Sequence, residues 1–472
     1  VTKTLPITTG GTAALVLFSV WCCLDPLTAH ATEPDSVLSA STATTTTTSA
    51  WGVMPAPSDS VTASFKNRSR SAWEWPLYIP YAAINYPLRW VREGVGLGVV
   101  WADKKDLFRF IKFVPVPKGV VPSATYNQQE GFGVGLNLYL PVGGENNFSR
   151  LRATYTTQKW QKYTAGAIFN KGGKYSMQVG VGYRLMPNLE FYGIGPNSTT
   201  DGLAYYKDER AWGGVIGRLR ITKHQFFSVA GVYSSIDARE PEQGYHPSML
   251  EKYGTSVPGF GQRSDGVMGR IAWSLGSAKQ AGNPDRGTVA LATVGGFVAT
   301  NSNDISFTAF RFELQQFVPL WYSNRALALR GYTNYVNNTG TVPIPFQRLF
   351  INEMPDMFRG YDTGRYRDLG ITGVTIEYRF PFTADKKDGG FGIDTVLLTD
   401  IGQVFSDRAE IAFNNLTYSY GIGVRAFINH LYIGTTEFVW GDEGFQFRIS
   451  TKQLFQYSRD VLFQGREEAL IH

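Results

Sequence analysis

The chain has 472 residues, 18% of them charged and 14% aromatic, with 51 glycines and a net charge of +6. It is charge-poor against the usual quarter or so of charged residues, yet beyond the N-terminus no apolar run reaches the roughly eighteen residues of a membrane helix, which excludes a helical membrane protein. No basic block interleaved with aromatics marks a nucleic-acid surface, and the two cysteines, Cys22 and Cys23, are adjacent, which leaves the rest of the chain without a disulfide framework or a cysteine metal site.

In chain order, Lys3 opens a short basic region, Ala13 to Val20 is apolar, and Ala29-His30-Ala31 is an A-x-A cleavage pattern. Residues 1–31 are therefore expected to be a secretory signal peptide. A lipoprotein signal would need a small residue before its cysteine, where Trp21 stands. Residues 32–72 are low-complexity, with threonine from Thr44 to Thr48, and read as a disordered linker. Residues 73–118 interleave Trp73, Trp75, Tyr78, Tyr81, Tyr86 and Trp90 with Pro76, Pro80 and Pro87. After Pro87, Leu88, Val91, Val95 and Val99 have helical spacing, weakened by Gly94, Gly96 and Gly98. This stretch reads either as a periplasmic cap or as an interfacial amphipathic element.

From about Gly119 the period becomes two. Phe132, Val134, Leu136, Leu138 and Leu140 alternate with small or polar residues, as do Tyr175 to Leu185, Val374 to Phe380 and Tyr420 to Ala426. The segmentation predicts strands at 119–126, 131–141, 148–158, 162–170, 174–185, 206–220, 225–237, 264–276, 287–298, 304–318, 325–335, 370–382, 392–405, 415–428, 430–440 and 445–455. Many exceed the five or six residues usual in soluble strands and are long enough to cross a bilayer at a tilt. Arginines on the polar face are costly only if that face is dry. The expected fold is an all-β, transmembrane antiparallel barrel of about sixteen strands, spanning 119–455 and followed by a tail, 456–472.

The most informative stretch is Phe358-Arg359-Gly360-Tyr361, in a long polar loop between the eleventh and twelfth predicted strands. Asp400 and Gly402, in Leu398-Thr399-Asp400-Ile401-Gly402, share the inward phase of the thirteenth, and Glu377 and Arg425 face inward on its neighbours. Arg359 is expected to meet Asp400, with Glu377 as second acceptor, while Gly360 and Gly402 let backbones approach. A hydrated lumen would screen such a pair to about 0–1 kcal/mol.

These motifs resemble those of the BamA/TamA/FhaC superfamily of outer-membrane barrels, which insert or export other proteins. That family's lumenal loop carries (V/I)-Arg-Gly-(Phe/Tyr) and a nearby strand Phe-x-Asp-x-Gly; Phe358 and Leu398 depart from the pattern. Tyr420 to Arg425 resembles its glycine-rich strand, and Gly444 to Ile449 its closing strand, with Phe445, Phe447, Ile449 and Phe455 as the insertion signal. The family's periplasmic POTRA modules are not recognisable in 32–118, so a member without them is expected.

The resemblance implies a bacterial outer-membrane protein that inserts or translocates proteins or lipids, with outer-membrane lipids, client outer-membrane proteins or accessory assembly proteins as partners. A passive pore or surface antigen is the alternative, and an outer-membrane lipid hydrolase a third. The histidines after the leader, His224, His246, His430 and His472, form no catalytic grouping with serine or carboxylate in the sequence, so no enzyme, cofactor or metal is expected.

Overall fold

The computed structural model describes residues 119–450, apart from 128–129, 145, 243, 279–283, 302–303, 321–324, 353–356, 382–390 and 429–430, together with Phe455. The expected signal peptide, linker, 73–118 element and tail, with His430 and His472, lie outside the described residues.

The strands are β1 (Gly119–Asn127), β2 (Gly131–Pro141), β3 (Phe148–Thr156), β4 (Gln161–Phe169), β5 (Tyr175–Phe191), β6 (Ala204–Arg220), β7 (Gln225–Arg239), β8 (Arg263–Gly276), β9 (Gly287–Ala299), β10 (Ser306–Pro319), β11 (Ala326–Asn338), β12 (Phe350–Ile351), β13 (Arg367–Asp368), β14 (Gly370–Pro381), β15 (Phe391–Phe405), β16 (Thr417–Ile428), β17 (Leu431–Gly441) and β18 (Gly444–Ser450). Sixteen of them form one antiparallel sheet in chain order, and β12 pairs with β13 inside the connection from β11 to β14. The sheet curls until β1 and β18 approach each other, but among the described residues no ladder joins them.

The period-two pattern sorts side chains between two unlike faces. Val134, Leu136, Val181, Val229, Val267, Ile271, Phe310 and Phe312 point outward and are exposed. The inner face buries Arg150, Asp208, Arg210, Glu313, Arg330, Glu377, Arg379 and Arg425. A water-soluble fold does the reverse, because apolar surface in water is unfavourable. An apolar outer wall around a charged interior is the arrangement of a barrel in lipid.

Long connections gather at one end: 192–203 after β5, 240–262 after β7, 339–369 after β11 and 406–416 after β15. The opposite end has shorter links such as 170–174 and 221–224. The 240–262 connection holds a short helix, α1 (Met249–Tyr253), whose Ser248 and Glu251 form a reciprocal capping box. At this end Phe346 packs edge-on against Phe191 (5.3 Å) and Tyr206 (5.1 Å), so the 339–369 connection shares a core with the wall.

Two expected boundaries need correction. β5 continues to Phe191 rather than stopping at 185, because an irregularity between Met186 and Leu189 carries Pro187 without ending the ladder to β6. The closing strand, expected to run to 455, is described through Ser450, and Phe455 itself is in a turn.

Candidate functional site in the lumen

The connection from β11 to β14 folds back into the barrel and places Arg359 against the inner faces of β14, β15 and β17. The Arg359 backbone N–H donates to Asp400 Oδ2 (3.1 Å), its Nε to the same oxygen (2.8 Å), and its Nη2 to Asp400 Oδ1 (2.9 Å). Nη1 donates to Glu377 Oε1 (2.7 Å) and Glu437 Oε1 (3.1 Å). Three carboxylates from three strands thus surround one guanidinium, which is 1% exposed. The screening expected from a hydrated lumen does not apply at such a buried site. Burial works against the charge, and Asp400, Glu437 and Glu377 outweigh it, holding Arg359 well above its ordinary pKa.

The charge pattern extends along the wall. Glu377 Oε2 accepts from Arg379 Nε (2.9 Å) and Nη2 (2.8 Å), so this carboxylate bridges two arginines. Arg425 lies further toward the short-turn end and donates to Asp394 Oδ2 (2.9 Å). Arg448 is buried opposite Glu437 in the β17–β18 register.

Local backbone geometry lets the motif enter this cluster. Phe358 has φ +50°, in the left-handed region that a bulky side chain rarely adopts. Its ring is buried with Met357, Tyr361, Tyr366, Tyr332, Ile371 and Val404. Gly402 makes room for that ring: a Cβ there would come within 2.4 Å of Phe358 Cε1 and of the Thr372 carbonyl oxygen. Gly360 lies flat on the wall, where a Cβ would meet Ser419 Cβ at 2.5 Å and the Gly441 nitrogen at 3.1 Å. The Tyr361 hydroxyl donates to the Asp442 carboxylate in the β17–β18 turn. Burial, then that hydrogen bond, push its phenol well above the ordinary tyrosine range.

The same connection reaches other walls through arginines that the sequence reasoning did not single out. Arg348 donates to Ser264 Oγ (2.7 Å) and Ser234 Oγ (3.1 Å), and stacks 4.0 Å over Phe297. Arg365 binds Glu443 Oε1 (2.7 Å) and Ser198 Oγ (2.8 Å). Arg367 donates to the Phe346 carbonyl (2.8 Å) and the Tyr206 hydroxyl (3.1 Å). The loop therefore spans the lumen from β7–β8 to β14–β17. Asp368, buried within it, accepts from Ser406 Oγ (2.7 Å) and the Leu369 N–H (2.7 Å), while its Oδ2 has no partner among the described residues. Glu437 was also missed; its inward phase between outward Thr436 and Phe438 was the available signal.

The remaining sequence-derived residues divide. Leu398 is buried with Val396 and Val439. Phe445 and Phe447 are exposed on the outer wall, in phase with Ile449. Phe455 lies apart from them, packed against Phe317 and Arg379 inside the lumen. Ser248, His246 and Glu251, a serine, a histidine and a carboxylate, meet at the cap of α1.

Residues 123–429 match the model of the Omp85 superfamily domain. Among solved structures, the chain is similar to BamA from Haemophilus ducreyi lacking POTRA domains 1–3, at 13% identity and TM-score 0.49, over 70% of this chain and 68% of that one. It is also similar to CdiB from Acinetobacter baumannii (12% identity, TM-score 0.44, 70% of this chain and 58% of that one). CdiB from Escherichia coli gives 8% identity and TM-score 0.48, over 72% and 63%. The chain thus spans less than two thirds of either CdiB. No curated protein matches it.

Proposed function

The chain belongs to the Omp85 superfamily, and on that premise we propose that it resides in the bacterial outer membrane and inserts or translocates other polypeptides there. The observation that carries this reading is the seam. β1 and β18 lie side by side without a ladder among the described residues, while the other neighbours in the sheet are paired. An unladdered seam leaves backbone donors and acceptors available to an incoming strand. The loop around Arg359 supports the same reading, since it braces β14, β15 and β17 beside the seam, and its Asp362 accepts from Gln446 on β18 (3.3 Å).

A passive pore is the less favoured alternative, because the 339–369 connection crosses the lumen and buries Arg348, Arg359, Arg365 and Arg367 there. The partners on this reading are outer-membrane lipids and client or accessory outer-membrane proteins. Depletion of the protein is expected to remove a defined set of outer-membrane polypeptides. A disulfide staple between cysteines introduced on β1 and β18 is expected to produce the same loss. An unchanged outer-membrane composition under both treatments, with a steady single-channel conductance in planar bilayers, would favour the pore.

A further inference from the structure

Had β18 continued past Ser450 in its own phase, Phe455 would follow Phe445, Phe447 and Ile449 onto the lipid-facing side, because side chains alternate faces along a strand. Instead Phe455 is 2% exposed, among Val289, Phe317 and Ala328. These three residues occupy the inward phase of β9, β10 and β11. The Phe317 ring meets Phe455 edge-on at 5.7 Å, and the Arg379 guanidinium stands 4.6 Å over the Phe455 ring. Arg379 is held in place by its two hydrogen bonds to Glu377. A fixed cation over an aromatic face, with an aromatic edge and aliphatic walls around it, selects a flat aromatic side chain.

We propose that this pocket on the inner faces of β9, β10, β11 and β14 is a latch site whose occupant is Phe455 of the same chain. The latch holds Phe455 against the lumenal side of the wall. It joins Phe455 to the motif through Arg379 and Glu377, since Glu377 also accepts from Arg359. The seating of Phe455 is thereby coupled to the Arg359 cluster, independently of any cargo.

The test uses the full chain in outer membranes, with Cys22 and Cys23 replaced by serine and folding checked by heat-modifiable gel mobility. Phe455→Cys is expected to react with a membrane-impermeant maleimide about tenfold or more slowly than Phe413→Cys, whose parent side chain is 92% exposed, because a seated residue labels only on local opening. A short bifunctional thiol reagent is expected to join Phe455→Cys to Ala328→Cys, and to Val289→Cys should the Ala328 variant fail to fold. Capture instead by Val120→Cys, on the outer side of β1, would show the strand running on along the seam and overturn the proposal. Labelling as fast as at Phe413→Cys, or no capture at either pocket position, overturns it equally. None of these readouts depends on translocation activity, so they separate the latch from the proposed function.

Discussion

Arg359 and Asp400 meet through three hydrogen bonds, from the arginine backbone N–H, Nε and Nη2 to the two carboxylate oxygens, across 41 positions of sequence. Because both residues are almost wholly buried, the contact differs in kind from a surface ion pair. Removing one partner would strand charge in a dry site.

Arg359→Ala is therefore expected to cost about 3–5 kcal/mol, the range for breaking a buried pair. The measurement is the midpoint of heat-modified gel mobility, together with protease cleavage in the 339–369 connection. Arg359→Lys keeps the charge but loses the planar fork, and should fall between wild type and alanine.

The three acceptors should not be equal. Asp400 takes three of the arginine's hydrogen bonds, whereas Glu437 takes one and leaves Oε2 without a partner among the described residues. Asp400→Asn is expected to approach the cost of Arg359→Ala. Glu437→Gln should cost less, about 1.5–3 kcal/mol, the range for one hydrogen bond to a charged group. Equal shifts for the two variants in the same unfolding assay would refute this ordering.

Phe358→Val makes a sharper case. Valine matches the resembling family's motif, but here φ is +50°, where a β-branched residue is strained. The smaller side chain also leaves space beside Gly402. A loss of about 1–3 kcal/mol from backbone strain is expected in the same assay, rather than neutrality. Gly402→Ala should be destabilising by about 1–3 kcal/mol as well, through overpacking against Phe358 and the Thr372 carbonyl. Phe358→Leu should relieve only part of that, since the backbone oxygen stays.

Asp368 predicts a pH dependence. Burial raises its pKa, Glu410 adds to the rise, and the hydrogen bonds from Ser406 and Leu369 only partly oppose it. A carboxyl whose folded pKa lies above its unfolded value binds its proton more tightly when folded, so its contribution is most favourable below the unfolded pKa, near 3.9. That contribution is lost as pH rises through the folded value. At neutral pH, Asp368→Asn is expected to protect the 339–369 connection better against protease than wild type. The advantage should shrink toward pH 4; one that is constant with pH would count against the assignment.

Much of the wall was legible because strand phase is a local property. Alternation through Phe132 to Leu140 or Tyr420 to Ala426 follows from burial on one face only, and needs no knowledge of neighbouring strands. The end of β5 was not legible, because the strand runs on past Pro187, where the neighbouring irregularity keeps the ladder to β6. At the site, Arg359, Asp400 and Glu377 stood out through motif and phase. Arg348, Arg365 and Arg367 did not, since their partners are serines, carbonyls, ring faces and, for Arg365, Glu443 in the β17–β18 turn, scattered along the chain with no spacing signal.

The sequence by itself determined the antiparallel, outward-apolar wall and the existence of a charged lumen, because each strand encodes its own two faces. Only the tertiary structure decided which charges meet. It brought Glu437 to Arg359, turned the loop into a brace between opposite walls, and set Phe455 against Arg379 instead of in lipid. Those contacts depend on how far the sheet curls and where the loop re-enters, and both are set by packing among residues far apart in the chain.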